Sequence, residues 1–232
     1  YDTLIKAVEI CKQKKIDFIL AVGGGSIIDG TKFIAAAAKC DCEDTWKLIT
    51  DKSFKMPVPI DFGAVLTLPA TASEMNNGAV ISRRATKEKF AFHNPNGFPC
   101  FSILDPTVVL SLPKKQISNG IVDIYAHTLE QYLTTCLDTK VMDYWAEGLL
   151  KTLIEEAPNL MSDNPSYDSC ANFMLTATMG LNGFISMGVD EDWATHMIGD
   201  ELTALCGLDH GETLAIVHPG VMAVMGHEKH GQ

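Results

Sequence analysis

One carboxylate and three histidines stand at spacings that could hold a divalent metal ion. Asp123 and His127 lie four residues apart in a segment with helical periodicity, so both side chains leave the same face. His196 falls in a second helical segment, and His210 comes just before another expected helix. Imidazole nitrogens with a carboxylate oxygen suit Zn(II) or Fe(II) better than calcium or magnesium. This set is therefore a candidate metal site.

The same residue types have an ordinary alternative interpretation. An isolated Asp–His pair on a helix is commonly a surface interaction, and a single histidine is commonly a hydrogen-bonded packing residue. We assign the remaining histidines to that class: His93, His218, His227 and His230. Residue type and spacing alone leave metal binding open.

A run of glycines could bind phosphate. Gly23, Gly24 and Gly25 separate a strand predicted over 17–22 from a helix predicted over 27–39, with Ser26 as its N-cap. Glycine lets the backbone approach a ligand, and the first N–H groups of a helix attract anions. The alternative is a tight connection that needs glycine only for its geometry. The run also lacks the glycine spacing of the dinucleotide fingerprint.

A second polar cluster, Thr67 to Asn76, follows a strand predicted over 62–68. Open α/β sheets bind ligands beyond the carboxyl ends of their strands, which makes this cluster a second candidate ligand site. A plain turn capped by threonine and serine is the alternative.

The order of elements indicates an α/β N-terminal part followed by an all-α C-terminal part. Helix, strand, glycine turn and helix in succession are typical of a Rossmann-like parallel sheet with crossover helices. A strand is also predicted over 101–104 and a hairpin over 79–82 and 90–93. After Pro113 we predict helices over 117–135, 141–156, 168–183, 195–205 and 212–225. We therefore predict a dinucleotide-binding α/β domain over 1–114 and a helical metal-binding domain over 115–232.

Composition and charge restrict the kind of partner. With 47% hydrophobic and 20% charged residues, the 232-residue chain has an ordinary globular composition, which argues against disorder. Its net charge of -11 argues against nucleic acid or an anionic membrane as the main partner. No apolar run reaches bilayer-spanning length, and no signal peptide is visible. The seven cysteines are scattered, and Cys40 and Cys42 stand too close in sequence for an ordinary disulfide, so we expect a cytoplasmic protein.

Taken together, the motifs resemble one protein family. They occur in the order Gly23–Gly24–Gly25–Ser26 with Asp29, Thr67 to Glu74, Asp123 with His127, His196, and His210–Gly211. This set resembles the iron-containing (group III, metal-dependent) alcohol dehydrogenases over the whole chain. The residues around the glycines and the segment 192–196 are most similar to the butanol dehydrogenase and broad-range aldehyde reductase subgroup.

The resemblance implies an oxidoreductase that transfers hydride between NAD or NADP and a small alcohol or aldehyde. It implies that a divalent metal, Fe(II) or Zn(II), is held by Asp123, His127, His196 and His210. It implies a nucleotide site lined by Gly24, Gly25, Ser26, Asp29, Thr67, Thr71, Asn76 and Lys89. It also implies an active site in a cleft between the two domains, and a homodimer. No side chain is assigned as the general acid or base.

Two departures from the family pattern bear on these expectations. Asp200 stands where similar proteins usually carry a second histidine, four residues after the one matching His196, so a proton relay through that position is in question. The chain also resembles only the middle portion of a full member. We therefore expect the first domain to be incomplete at its N-terminus and the second at its C-terminus.

Two rival functions stay open. A glycerol dehydrogenase or a dehydroquinate synthase-like lyase also uses a nicotinamide and a metal. The non-enzymatic alternative is a metal-binding fragment without catalytic activity. Net reduction of NAD(P)⁺ by simple alcohols separates an oxidoreductase from a lyase, and nucleotide titration separates both from the fragment.

Overall fold

The apolar runs of the N-terminal part pair as strands in the computed structural model of the protein, which describes residues 1–134 and 138–225. In chain order the strands are β1 (Phe18–Gly23), β2 (Asp61–Leu66), β3 (Gly78–Arg83), β4 (Glu88–His93) and β5 (Phe101–Leu104). Strands β1, β2 and β5 form a parallel sheet with β2 in the middle. Strands β3 and β4 form an antiparallel hairpin, which confirms the predicted one.

The helical patterns of the sequence also form helices. These are α1 (Asp2–Lys14), α2 (Gly25–Ala37), α3 (Lys47–Thr50), α4 (Lys114–Tyr132), α5 (Lys140–Leu160), α6 (Tyr167–Gly180), α7 (Ala194–Cys206) and α8 (His210–Met225). The predicted fold class, an α/β part followed by a helical part, is confirmed. Thr135, the predicted last residue of α4, lies outside the described residues.

Two predicted helix starts were wrong. Helix α2 begins at Gly25 with Gly24 as its N-cap, so Ser26 lies inside the first turn and is not the N-cap. Gly24 has the extended backbone of an N-cap residue and, as a glycine, has no side chain to accept from the helix start. His210 is the first residue of α8 and does not precede that helix.

The chain folds as two compact units. One comprises Tyr1–Thr67 and Ser73–Leu104, and the other comprises Leu68–Ala72 with the described residues of Asp105–Gln232. The short segment that follows β2 therefore packs with the helices, although the sequence around it belongs to the sheet unit. The domain boundary near 114 stays a prediction.

The core of the first unit lies around helix α2. Ile28 and Phe33 of this helix are fully buried, and so is Phe62 on β2. The alanine run from Ala35 to Ala37 is also fully buried, because small side chains let the helix lie close to its neighbours. Helix α2 contacts α1, β1, β2 and β3, which holds the glycine turn at its start in a fixed place.

Helix α4 is the central element of the second unit. It packs against α5, α6, α7 and α8, and its residues Ile117 and Ile124 are almost fully buried. Phe173 of α6 and Leu214 of α8 are buried in the same unit. Polar side chains on the buried faces of such a helix need partners in the interior.

The expectation that Cys40 and Cys42 do not pair was wrong. The chain turns after α2, which brings their Cα atoms to 5.4 Å, and the two sulfurs are bonded. That spacing is within the usual range for a disulfide. The bond closes a very small ring, so its constraint on the chain is local.

Within 1–134 and 138–225, no helix combines the length and the apolar character needed to cross a membrane.

The contact between α4 and α8 depends on a glycine, and this gives a testable prediction. A methyl group on Gly211 would lie 2.6 Å from the Asn119 carbonyl oxygen on α4, whereas one on Gly220 of α8 would meet nothing within 4 Å. We expect Gly211→Ala to lower the free energy of unfolding by about 1–3 kcal/mol, because α8 must move away from α4.

The matched control is Gly220→Ala, which should leave stability unchanged or raise it by up to about 1 kcal/mol, since alanine favours a helix over glycine. Urea denaturation of the two variants measures the difference. Equal stabilities for the two alanine variants would contradict close packing at Gly211.

Candidate metal centre

Helix α4 presents the first two predicted ligands on one buried face. Asp123 and His127 are 3% and 4% exposed, and Asp123 Oδ1 lies 3.5 Å from His127 Nε2. Their spacing of one helical turn brings the two side chains together without any contribution from tertiary structure. The burial of both does require tertiary structure, because it removes a charged group from water.

The other two histidines converge on the same carboxylate oxygen. His196 Nε2 on α7 and His210 Nε2 on α8 each lie 3.5 Å from Asp123 Oδ1. Donor atoms of Asp123, His127 and His196 all lie within 4.8 Å of one another, and His210 joins this cluster through Asp123. The structure thus groups three of the predicted ligands tightly and places the fourth, His210, beside the carboxylate oxygen that they share.

The distances between donor atoms fit a metal ion. N···O separations of 3.5 Å are longer than ordinary hydrogen bonds of about 2.7–3.2 Å. An ion bonded at about 2.1 Å to donors in a tetrahedral arrangement sets neighbouring donors about 3.4 Å apart. Asp123 Oδ1 and His196 Nε2 are buried and make no hydrogen bond within the described part of the protein. These buried atoms, with this donor chemistry, suit a divalent transition metal.

The titration of the cluster reflects its burial and charge. Burial favours neutral Asp123, but the imidazoles, His127 foremost, outweigh burial and lower the pKa of Asp123 well below its usual range. Burial lowers the pKa of His127 to about 3, so its ring is neutral near pH 7. Burial also opposes a charge on His196, but Asp123 and Glu130 outweigh it and raise the pKa of His196 to about 9 in the metal-free chain. A bound cation would favour the neutral rings that act as ligands.

The start of α8 is held in place by a surface ion cluster. Lys115 Nζ on α4 lies 3.0 Å from Asp209 Oδ2 and 2.9 Å from Glu212 Oε1, on either side of His210. The backbone N–H of Asp209 donates to Glu212 Oε2, which satisfies a group at the helix start. Exposed ion pairs contribute little to stability, so the packing of α8 against α4 must supply most of the free energy that places His210.

Sequence reasoning missed two residues beside the cluster. Glu130 on α4 is buried and contacts His196 Nδ1 through Oε2, and its Oε1 accepts from the N–H of Thr195 at 2.6 Å. The ring of Trp193 meets the rings of His127 and His196 edge-on. The spacing of seven residues between Asp123 and Glu130 places both on one face of a helix, and this was the available signal.

Asp200 and the remaining histidines occupy distinct positions. Asp200 Oδ1 lies 3.4 Å from His210 Nδ1, on the side of the ring away from Asp123. His218 is half-buried, with Nδ1 3.1 Å from Thr195 Oγ1, as expected of a hydrogen-bonded packing residue. His93 is exposed on β4. His227 and His230 lie outside the described residues.

The glycine turn lies at the carboxyl end of the sheet in the first unit. Gly23 ends β1, and the backbone N–H of Thr67, just after β2, donates to its carbonyl oxygen at 3.0 Å. A Cβ on Gly23 would lie 2.6 Å from the side chain of Ile27, so a residue with a side chain does not fit there. Gly24, Gly25 and Ser26 form the start of α2, where helix N–H groups lack intrahelical partners. This arrangement could hold a phosphate.

Asp29 and Lys32 form a buried polar network one turn further along α2. Asp29 accepts from Ser73 Oγ at 2.5 Å and from the N–H of Val80 at 2.8 Å. Lys32 Nζ donates to Asn76 Oδ1 and to the Gly78 carbonyl, both at 2.7 Å. Burial raises the pKa of Asp29 and lowers that of Lys32 to about 8.

The other predicted nucleotide residues divide between the units. Thr67, Asn76 and Lys89 belong to the first unit, and the charge of Lys89 on β4 acts on Asp29. Thr71 belongs to the second unit, in the segment Leu68–Ala72. Their assignment as nucleotide-binding residues stays a prediction.

Two family profiles cover most of the chain. Residues 1–106 match the profile described as iron-containing alcohol dehydrogenase. Residues 117–232 match the C-terminal profile of the Fe-containing alcohol dehydrogenase family.

Curated relatives and a solved structure agree with these matches. The chain is 51% identical to the NADPH-dependent aldehyde reductase YqhD of Escherichia coli, over 95% of the chain and 57% of that protein. It is 46% identical to the probable NADH-dependent butanol dehydrogenase 1 of Bacillus subtilis, over 95% of the chain and 56% of that protein. The structure of NADH-dependent butanol dehydrogenase A from Thermotoga maritima aligns with a TM-score of 0.91 and 36% identity, covering 96% of this chain and 55% of that one. The chain thus spans little more than half the length of the relatives it matches.

The convergence of four donors predicts the effect of losing one. We expect His196→Ala to reduce the zinc retained by the purified chain to a small fraction of the original amount, because a three-donor remnant loses one metal bond and its geometry. Elemental analysis after dialysis measures the retained metal. His93→Ala is the matched control and should retain metal like the unaltered chain. Retention by His196→Ala equal to that of the control would refute this ligand assignment.

The buried Lys32 predicts a pH-dependent stability. Its pKa is about 8 in the folded chain against 10.5 ordinarily, so between these values the unfolded chain holds a proton that the folded chain has lost. Because the unfolded state binds more protons, this site makes the free energy of unfolding rise with pH, by about 3 kcal/mol at most over the window. Urea denaturation from pH 8 to pH 10 should therefore show a steeper rise for the unaltered chain than for Lys32→Met.

The control for this measurement is Lys14→Met, which removes an exposed lysine at the end of α1. Its stability should follow that of the unaltered chain at each pH. A Lys32→Met profile parallel to both would show that Lys32 does not titrate in this range.

Proposed function

The chain belongs to the iron-containing alcohol dehydrogenase family, and from this premise we propose that it acts in metal-dependent hydride transfer between NAD(P)(H) and a small alcohol or aldehyde. The observation that carries the proposal is the convergence of three imidazole Nε2 atoms on one buried carboxylate oxygen. The names of the relatives, an aldehyde reductase and butanol dehydrogenases, support the substrate class.

In this proposal Asp123, His127, His196 and His210 hold the divalent ion, Fe(II) or Zn(II). When bound, such an ion supplies the Lewis acidity that alcohol and carbonyl chemistry requires, and the nicotinamide supplies the hydride. The chain contributes the position and the surroundings of the centre. Burial of Asp123 and His127 keeps water from competing for the donors. The rings of His127 and His196 stack on each other, and the ring of Trp193 meets both edge-on.

The glycine turn is proposed to bind the pyrophosphate of the nucleotide. The backbone of Gly24, Gly25 and Ser26 offers N–H groups at the positive end of α2. Thr67 and Lys89 supply further polar and positive groups in the same unit. Asp29 and Asn76 are held by internal hydrogen bonds, so they support the shape of this site as well as its polarity.

A cytoplasmic location and a homodimer stay predictions. The first rests on the scattered spacing of the cysteines other than Cys40 and Cys42, which are bonded to each other, and the second on the family resemblance.

The activity test uses the purified chain, NADH and NADPH, and a panel of short aldehydes, followed by nicotinamide absorbance. We expect oxidation of at least one cofactor, complete loss of that activity after chelation, and recovery when Fe(II) or Zn(II) is added back. The reason is that the four donor side chains cannot supply Lewis acidity without the metal ion. The reverse reaction with the matching alcohols should reduce NAD(P)⁺.

Three results would contradict this proposal in different ways. Unchanged turnover after chelation would exclude a metal-dependent reaction. Conversion of a substrate without net change in the nicotinamide would indicate a lyase. Tight metal binding with no binding of either nucleotide would indicate a non-catalytic metal-binding domain.

A further inference from the structure

We infer that Glu130 is a positioning residue of the metal centre, which holds His196 in the tautomer and orientation that direct Nε2 toward the other donors. The inference rests on the proposed metal centre and adds a residue outside the set of direct ligands.

Both carboxylate oxygens of Glu130 are engaged at the start of α7. Oε2 contacts His196 Nδ1, and Oε1 accepts from the backbone N–H of Thr195 at 2.6 Å and lies 3.4 Å from that of His196. The side chain is 6% exposed. Water therefore cannot easily replace these contacts.

The Glu130 carboxylate determines which nitrogen of the His196 ring carries the proton. A carboxylate only accepts hydrogen bonds, so His196 Nδ1 must donate and carry a proton. In a neutral ring the lone pair then lies on Nε2. Among residues 1–134 and 138–225, His196 Nε2 has no hydrogen-bond partner, and it lies 3.5 Å from Asp123 Oδ1, where a ligand atom is required. Metal-binding histidines commonly donate their other N–H to such a group.

The same side chain also fastens one helix to another. The N–H groups of Thr195 and His196 belong to the first turn of α7, whose N-cap residue Trp193 makes no side-chain cap bond. The carbonyl of Glu130 accepts from the N–H of Asp192 just before that helix. Through one residue, α4 therefore supplies the missing cap of α7 and sets the direction of its ligand.

Glu130 lies on the same face of α4 as two of the proposed ligands. Asp123, His127 and Glu130 follow one another at four and three residues, so they form a single stripe on the helix. The first two point donors at the centre, and the third holds the histidine that arrives from α7. A small rotation of α4 would displace all three together.

The variant Glu130→Gln separates a role as a helix cap from a role in positioning His196. Glu130→Gln keeps one oxygen that can accept from Thr195. Its amide N–H₂ group would then donate to His196 Nδ1, which must therefore be the unprotonated nitrogen. The ring proton then lies on Nε2, and a protonated Nε2 cannot bind a metal ion.

The test measures zinc affinity by competition with a chelator in the unaltered chain, Glu130→Gln and Glu156→Gln. We expect Glu130→Gln to bind zinc about 10–100-fold more weakly than the unaltered chain. Glu156 is a matched control, because its carboxylate bridges α5 and α6 through Ser169 and Asn172, and the contacts that the structure gives it involve no ligand histidine. Glu156→Gln should bind zinc within about 3-fold of the unaltered chain.

A second measurement does not depend on whether the variant folds. Proton and nitrogen NMR of the zinc-saturated unaltered chain should show the His196 ring with its proton on Nδ1 and none on Nε2. A ring with no proton on Nδ1 would overturn the inference.

The outcomes also separate this inference from the metal centre itself. Zinc binding by Glu130→Gln as tight as that of the unaltered chain would overturn the role of Glu130 and leave the centre intact. Equal weakening in Glu130→Gln and Glu156→Gln would reduce that role to helix packing. No zinc binding by the unaltered chain would overturn the centre and this inference with it.

Discussion

One buried carboxylate oxygen organises the helical unit. Asp123 Oδ1 has three imidazole nitrogens at 3.5 Å and no hydrogen bond from any residue that the structure describes, in a buried position. An isolated charge in such a place would be very costly, and removing one partner from a buried ionic cluster is strongly destabilising. The imidazoles around Asp123, or a cation bound among them, are what make its burial tolerable. The surrounding helices must therefore pack so that these groups stay together.

Helix α4 meets that requirement in three directions. It carries Asp123 and His127 itself, and Glu130 holds the start of α7. At its other end Lys115 contacts residues on both sides of His210, while Gly211 lets α8 approach the backbone of α4 closely. Each ligand that is not on α4 is therefore fixed to α4 by a contact close to that ligand. The position of the centre then depends on one rigid element, which is how a buried site keeps its geometry.

The sheet unit also has a polar site held by one helix, but there the helix offers positive backbone N–H groups and not a carboxylate. The start of α2 offers backbone N–H groups, and one turn further the same helix buries Asp29 and Lys32. Asp29 accepts hydrogen bonds from Ser73 and from Val80 on β3, and Lys32 donates one to Asn76. The polar residues after β2 are thus tied to the helix that follows β1, which preserves the shape of the proposed phosphate site.

The sequence by itself determined the fold class, the family and most of the elements, because these depend on local periodicity and on motifs of neighbouring residues. A strand that ends in glycines and a helix with an Asp–His pair can be recognised from the chain alone. It misplaced the start of α2, since the cap at Gly24 is a matter of backbone conformation and involves no side chain. It also misjudged Cys40 and Cys42, because the turn that joins them is not encoded by their spacing.

Only the tertiary structure decided which side chains meet. His196 and His210 come from helices far along the chain from Asp123, and their convergence depends on how α7 and α8 pack against α4. Glu130 was overlooked for the same reason, since a buried glutamate becomes informative only when its partner on another helix is known. Local pattern fixes the face on which a residue lies, whereas long-range packing fixes what that face touches.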